Sequence, residues 1–531
     1  MQSFYENKRV FITGGSGFLG RVIIEHLLRK TEVKCIYMLI RPKHDTTSEE
    51  RLKKILSGPV NEFFYGLIIN NYIYSVTQQL FAKVRELKPQ LHTLITPING
   101  DCTQPNLGIS PEDREVLTTY VDIVIHSAAT IRFNEPLYNA LILNVGAIKS
   151  VLALAKEMSQ LKSFVHVSTA YSNCILPHIE EKFYPEIIGI TANKALKMAE
   201  YLGPELTNNL AKDLLGNFPN TYTFTKALAE ELILTEAGTL PICIFRPVII
   251  TSTYAEPTPG WVDNYAGATG ALYATAQGTL RVLYIHSNKP SLLVPVDFCA
   301  NIILACGYKT AQQEMIEKEK SEPVIYNFVP DESNKITWGT VADKGTHYAR
   351  KYPFSNTFWY PFLLKVQTQR LATILAFLLH TIPSYMQDML LRLRGEKTRM
   401  VLLCQKQEQF LQVLNYFKTN AWTHGTTNTK NLWQSLTPAE QSNFNFNMSG
   451  VCWKQYLDDI AFGLQRYLVR EDDATMLKAK KRLRKLQFIH QSLLALIVTG
   501  LTLLVFTVTF YCLEQRYFNT NYFSTIKIFA K

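Results

Sequence analysis

Residues 9–21 read RVFITGGSGFLGR. Val10, Phe11 and Ile12 form a short apolar run that reads as a buried strand. Thr13-Gly14-Gly15-Ser16-Gly17-Phe18-Leu19-Gly20 follows as a glycine turn, and Val22, Ile23, Leu27 and Leu28 continue with helical spacing. Gly14, Gly17 and Gly20 are spaced G-x-x-G-x-x-G. The first permits a tight turn, the second lets backbone approach a pyrophosphate, and the third lets helix and strand pack closely. The free N–H groups of the helix N-terminus would face the phosphates. A plain βα turn can use the same glycines. The position, at the opening of the chain and between strand and helix, favours dinucleotide binding by Thr13 through Gly20.

Outward from that turn, strands alternate with helices. Cys35–Ile40 reads as a second strand and ends in Arg41-Pro42-Lys43. At this place an acidic residue would favour NAD, whereas Arg41 and Lys43 would accept the 2′-phosphate of NADP. Ser48 to Lys88 breaks the alternation with helical pattern and reads as an insertion. Leu94–Ile98 is a third strand, followed by Asp101, which either receives the adenine amino group or closes a turn. Val121–Ile125 is a fourth, ending in His126-Ser127-Ala128-Ala129-Thr130, where small residues such as Ala128 let a cofactor lie against backbone. Phe164–Val167 and Ile242–Phe245 are the fifth and sixth. The pattern predicts an α/β fold of Rossmann type, a doubly wound parallel sheet covered on both faces, with right-handed crossovers.

Beyond about residue 335 glycine thins out and residues 357–473 read as helices. Leu371–Ile382 is apolar but short of the ~20 residues needed to span a bilayer, and reads as a buried or interfacial helix. Ser492–Cys512 is 21 residues without a charge, preceded by Lys478, Lys480, Lys481, Arg482, Arg484 and Lys485. It reads as a transmembrane helix, with the large N-terminal part on the cytosolic side as a tail-anchored protein. Endoplasmic reticulum and peroxisome both accept such anchors. The expected organisation is a dinucleotide-binding reductase domain over 1–335, a helical domain over 336–475 and an anchor over 488–513.

The 531 residues carry a net charge of +11. No basic run is interleaved with aromatics in the manner of a nucleic-acid site. Anionic lipid, nucleotide phosphates or an acidic substrate carrier are the fitting partners. The nine cysteines show no C-x-x-C and no framework spacing, which argues against a disulfide scaffold and a zinc site. Nothing in the sequence bears on oligomeric state.

The chemistry concentrates in Asn220-Thr221-Tyr222-Thr223-Phe224-Thr225-Lys226. On a helix, Tyr222 and Lys226 are one turn apart and share a face. A lysine ammonium beside a phenol is expected to lower the Tyr222 pKa toward neutrality, and Lys226 can also hold ribose hydroxyls. The fifth strand ends in Ser168-Thr169, and a hydroxyl there can reach a substrate oxygen beside the phenol. Thr169, further past the strand end, is favoured over Ser168. A surface Tyr–Lys pair and a strand-end cap are the bland alternatives.

Together, TGGSGFLG, RPK, NGD, HSAAT, VSTAYSN, YTFTK and FRPVII resemble the extended short-chain dehydrogenase/reductases. More narrowly, HSAATIRFNEPL, HVSTAYSN, EPTPGWVDN at Glu256–Asn264 and LLVPVDFCANIIL at Leu292–Leu304 resemble the alcohol-forming fatty acyl-CoA reductases, as does the helical C-terminal region, similar to their "sterile" domain. The resemblance implies NADPH on Gly14, Gly17 and Gly20, carbonyl orientation by Thr169, and proton transfer by Tyr222 with Lys226. It further implies a long-chain acyl-CoA substrate reduced through an aldehyde to the alcohol, beside membrane lipid. About 50 residues separate Thr169 from Tyr222, and Glu180–Pro219 within that gap is expected to shape the acyl site. A sterol or sugar-nucleotide dehydrogenase would share the glycine loop and Tyr–Lys pair but not the helical C-terminal half. A non-catalytic NADP-binding scaffold would have no need of Thr169, Tyr222 and Lys226.

Overall fold

The computed structural model describes residues 1–42, 46–57, 79–316 and 322–529. Its centre is a parallel sheet of seven strands: β1 (Arg9–Thr13), β2 (Cys35–Ile40), β3 (Ile95–Asn99), β4 (Ile123–His126), β5 (Ser163–Val167), β6 (Ile242–Pro247) and β7 (Val324–Phe328). Their spatial order is β7-β6-β5-β4-β1-β2-β3. The alternation of side chains along β1 shows why the sheet is covered twice. Val10 and Ile12 pack into one core with Ile23 and Leu27 of helix α1 (Phe18–Lys30), while Phe11 packs into a second core on the opposite face. That second face is covered by α2 (Leu137–Glu157) and α4 (Thr221–Glu236). On the first face α5 (Val296–Ile316) joins α1. α3 is the helix Ala192–Asn209, kinked at Gly203-Pro204.

Strand order reverses between β1 and β4, which are paired with Thr13 opposite His126. In doubly wound sheets the crevice at that reversal, past the carboxyl ends of the strands, receives the ligand. The doubly wound sheet expected from the sequence is thus present, with one strand more. β7 was not anticipated, because Val324–Phe328 lies at the far end of a stretch where turn signals and apolar runs no longer alternate at a regular interval. Of the expected insertion at 48–88, helices at Ser48–Ser57 and Ala82–Leu87 are seen, and residues 58–78 lie outside the described residues.

The C-terminal half is mainly helical, including α6 (Gln369–Leu393), α7 (Met400–Val413) and α8 (Trp453–Gly463). Among the described residues, two short strand pairs help to sew it to the sheet domain. Leu364–Val366 pairs parallel with Val282–Tyr284, and Thr423–His424 with His178–Ile179. Phe417, Trp422, Leu432 and Tyr456 share one packed core with β1 and α1. The chain ends in α9 (Asp473–Phe529), whose stretch to Arg516 is long and apolar enough to cross a membrane.

Candidate active site

The glycine turn is built by close approach. Gly14 has φ +74°, and a Cβ on it would lie 2.6 Å from the Ala128 nitrogen at the end of β4. A Cβ on Gly20 would lie 2.2 Å from the Gly14 carbonyl oxygen. Only glycine meets both demands. The Gly17 N–H donates to the Gly14 carbonyl at 2.9 Å and turns the chain into α1, whose first turn carries no side-chain cap. Bare N–H groups above a wall of small residues fit a dinucleotide pyrophosphate.

Within the turn the eight residues divide. Ser16, Gly17, Phe18 and Leu19 stand at its mouth, and Gly15 is buried against Met38. Phe18 stacks on Trp261 with ring centroids 5.6 Å apart. The Thr13 side chain points inward from the turn. Its buried hydroxyl bonds to His126 Nδ1 at 2.7 Å and accepts from the Ala128 N–H at 3.3 Å, so it braces the turn against β4. Arg41 and Asp101, at the ends of β2 and β3, come together with Nη1 and Oδ2 3.8 Å apart. Asp101 also accepts from the Thr103 N–H at 2.9 Å, the turn-closing role. Lys43 lies outside the described residues.

Asn220 caps α4 by accepting from the Thr223 N–H at 2.9 Å, which sets Tyr222 and Lys226 on one face. Thr169, just past β5, accepts from the Tyr171 N–H at 3.2 Å and donates to the Pro247 carbonyl at 3.3 Å. That leaves its hydroxyl near the Tyr222 phenol, where it favours the phenolate. Ser168 does not join them. Its buried hydroxyl donates to Glu230, which is itself ion-paired with Arg246 beneath the strand ends. Consecutive residues of an extended chain face opposite ways, so only one of the two hydroxyls can reach Tyr222.

The expected tuning of the phenol is also corrected. Burial pushes Tyr222 up to about 12, with the Thr169 hydroxyl pulling the other way. Lys226 does not offset that burial, because its Nζ donates to the Val167 carbonyl at 2.8 Å. Burial brings Lys226 down to about 8, against the opposing charge of Glu230. At neutral pH the pair is a protonated phenol beside a protonated amine. Beyond it, the His126 and His166 rings stack 5.3 Å apart. Burial, then Lys226, lowers His126 to about 3 and His166 well below its ordinary value, so both rings are neutral.

Several residues at the site escaped sequence reading. Phe133 lies 5.5 Å from the Tyr222 ring, and Phe417, from the C-terminal half, lies 5.1 Å from Phe133 and 4.8 Å from Tyr171. Tyr416 and Trp422 hold this aromatic roof down by donating to the Cys174 carbonyl at 3.0 and 2.8 Å. Asp297, quoted above only within a signature run, accepts from the N–H groups of Tyr254, Ala255 and Glu256 at 2.8, 2.8 and 3.0 Å. It thereby fixes the loop that carries Trp261 and Asp263 to α1, where Asp263 pairs with Arg21.

Two family models, both described as male sterility protein, match the chain, an NAD-binding part over residues 12–303 and a "Sterile" part over residues 379–471. Fatty acyl-CoA reductase wat of Drosophila melanogaster is 37% identical over 495 residues, covering 93% of this chain and 90% of that protein. Fatty acyl-CoA reductase 2 of Mus musculus is 35% identical over 489 residues, covering 92% and 90%. Among solved structures, the terminal R domain of the myxalamid PKS-NRPS pathway superposes with a TM-score of 0.56 at 16% identity, over 88% of this chain and 93% of that one, a likeness of fold. The sheet domain is thus a nicotinamide-dinucleotide-binding domain, and the chain belongs to the fatty acyl-CoA reductase family.

Proposed function

We propose that the protein reduces a long-chain fatty acyl-CoA with NADPH to the primary alcohol and coenzyme A, through a bound aldehyde, at the cytosolic side of a membrane. The observation that supports this most directly is the closeness of the Thr169 hydroxyl and the Tyr222 phenol to the buried Lys226 ammonium, on the sheet whose glycine turn fits a dinucleotide. Arg41 at the end of β2 favours NADPH through its 2′-phosphate.

Bound nicotinamide would supply a hydride to the thioester carbon and, in a second round, to the aldehyde carbon. Thr169 and Tyr222 donate hydrogen bonds to the oxygen on which charge develops, a contact that strengthens in the transition state. Tyr222, held as a phenol, is suited to give up its proton to that oxygen. The Lys226 ammonium, held on the Val167 carbonyl, would bind the nicotinamide ribose hydroxyls and so position the dinucleotide. Collapse of the protonated adduct expels the coenzyme A thiol. The aromatic roof of Phe133, Tyr171 and Phe417 keeps water from the reacting carbon.

α9 would hold the enzyme where substrate and product partition, since each buried methylene favours the membrane by about 0.8 kcal/mol. Endoplasmic reticulum and peroxisome are the compartments that suit a tail anchor. The test is product analysis of membranes expressing the full chain, supplied with NADPH and acyl-CoAs of graded length. Fatty alcohol and free coenzyme A thiol are the expected products. Turnover of sterols or sugar nucleotides with none of any thioester would overturn the proposal.

A further inference from the structure

α6 is fastened at its middle. His380 is 5% exposed, and its Nε2 accepts from the N–H groups of Arg281 and Val282 at 2.8 and 3.1 Å, while Arg281 donates to the Leu379 carbonyl at 2.7 Å. Its far end is fastened as well. The Asp388 carboxylate accepts from the N–H groups of Arg399, Met400 and Val401 at 2.9, 2.8 and 3.0 Å and so turns the chain back into α7. With 25 residues α6 is long enough to cross a bilayer, but a helix tied to the body at its centre lies along the surface instead.

The opposite side of α6 is apolar and bare. Leu371, Ile374, Leu378, Tyr385, Met389 and Leu393, spaced to form one helical stripe, are 48, 57, 49, 60, 65 and 74% exposed. Arg370 precedes the stripe, Arg392 lies next to its last residue, and Arg394, Lys397 and Arg399 follow it. Apolar residues on one face and cations at the ends suit an interfacial helix and anionic headgroups.

What covers the stripe follows from the route of α9. Where α9 leaves the body, His490 Nδ1 accepts from Trp359 Nε1 at 3.1 Å, and Phe362 stacks on the His490 ring at 4.9 Å. The Arg281 guanidinium lies 5.6 Å from the Trp359 ring, and the Arg281 backbone holds His380. Three successive contacts therefore join the exit of the anchor helix to the centre of α6. We propose that α6 is a second membrane contact, lying flat in the interface of the same leaflet that α9 enters.

This rests on α9 being in a bilayer, and the experiment separates the two statements. The full chain, with exposed Cys452 and Cys512 replaced by Ser, is labelled with an environment-sensitive fluorophore in M389C, Y385C, L501C and Y201C variants. Each is placed in nanodiscs of mixed neutral and anionic lipid carrying nitroxides near the headgroup or deep in the tail. Labels at 389 and 385 are expected to be quenched about threefold more by the shallow nitroxide than by the deep one, the signature of a helix buried ~5–10 Å. Residue 501 should show the reverse, and residue 201, on a bare part of α3, should show neither. Residues 389 and 385 behaving like 201 while 501 is quenched would overturn the inference alone, and a second copy covering the stripe would give that result. Deep quenching at 389 would overturn it in favour of a span. Quenching at none of the sites would overturn the placement of α9 as well.

Discussion

The Lys226 ammonium donates to the Val167 carbonyl at 2.8 Å, one residue before the two hydroxyls that the end of β5 presents. Burial lowers the amine to about 8 from an ordinary 10.5. Activity that needs the ammonium should fall as pH rises through about 8. Stability should move the other way. Between about 8 and 10.5 the unfolded chain holds this proton and the folded chain does not, so the folded form gains as pH climbs. A pH series of turnover and of thermal midpoint on the same preparation checks both, and K226M should flatten this share of the stability profile while abolishing turnover.

Ser168 and Thr169 are neighbours with opposite duties, and their substitutions should separate. T169V removes a hydroxyl that reaches the Tyr222 phenol and should lower kcat by about 10²-fold, the order seen for loss of one oxyanion donor. S168A removes a hydrogen bond to buried Glu230 and should lower the thermal midpoint while leaving kcat within about threefold, since that hydroxyl touches no reacting atom. Steady-state kinetics with calorimetry on both variants distinguishes them.

Gly20 faces backbone, which cannot step aside. G20A would place its methyl 2.2 Å from the Gly14 carbonyl oxygen, and the expected cost is about 1–3 kcal/mol with a weakened hold on nucleotide. G500A, with nothing within 4 Å, is the matched control. Isothermal titration with NADPH and thermal denaturation of both variants report the contrast.

Arg246 is fully buried and donates to Glu230, to the Glu180 carbonyl at 3.1 Å and to the Lys182 carbonyl at 2.9 Å. E230L would strand that guanidinium and should destabilise by about 3–5 kcal/mol, whereas E230Q, which keeps an acceptor, should cost less. Limited proteolysis between residues 180 and 219 should accelerate in E230L, because Arg246 ties down the start of that segment.

The sheet was legible because its strands are short apolar runs ended by turn residues, and the glycine turn because its spacing carries a steric meaning. Tyr222, Lys226 and Thr169 were legible because each sits at a fixed offset within one element. The ionisation of Tyr222 was not, since it depends on where the Lys226 amine points, and the Val167 carbonyl competes for it. The inward bond of Thr13 was not legible for a similar reason, since its partner His126 is 113 positions away. The aromatic roof was invisible as a unit. Phe133, Tyr171 and Phe417 come from three distant segments, and no periodicity links them. The stripe on α6 was readable as apolar, but its outward direction is set by His380 binding the backbone of residues 281 and 282.

The central claim is that the Tyr222 phenol delivers the proton as a dinucleotide on the glycine turn reduces an acyl thioester. Y222F in the full-length, membrane-reconstituted chain addresses it, with NADPH affinity by titration and coenzyme A thiol release from a long-chain acyl-CoA measured together. The expected result is NADPH binding within about twofold of the parent and thiol release slowed by at least ~10²-fold, the size of a lost general acid. Thiol release by Y222F at the parent rate, with NADPH still bound, would contradict it.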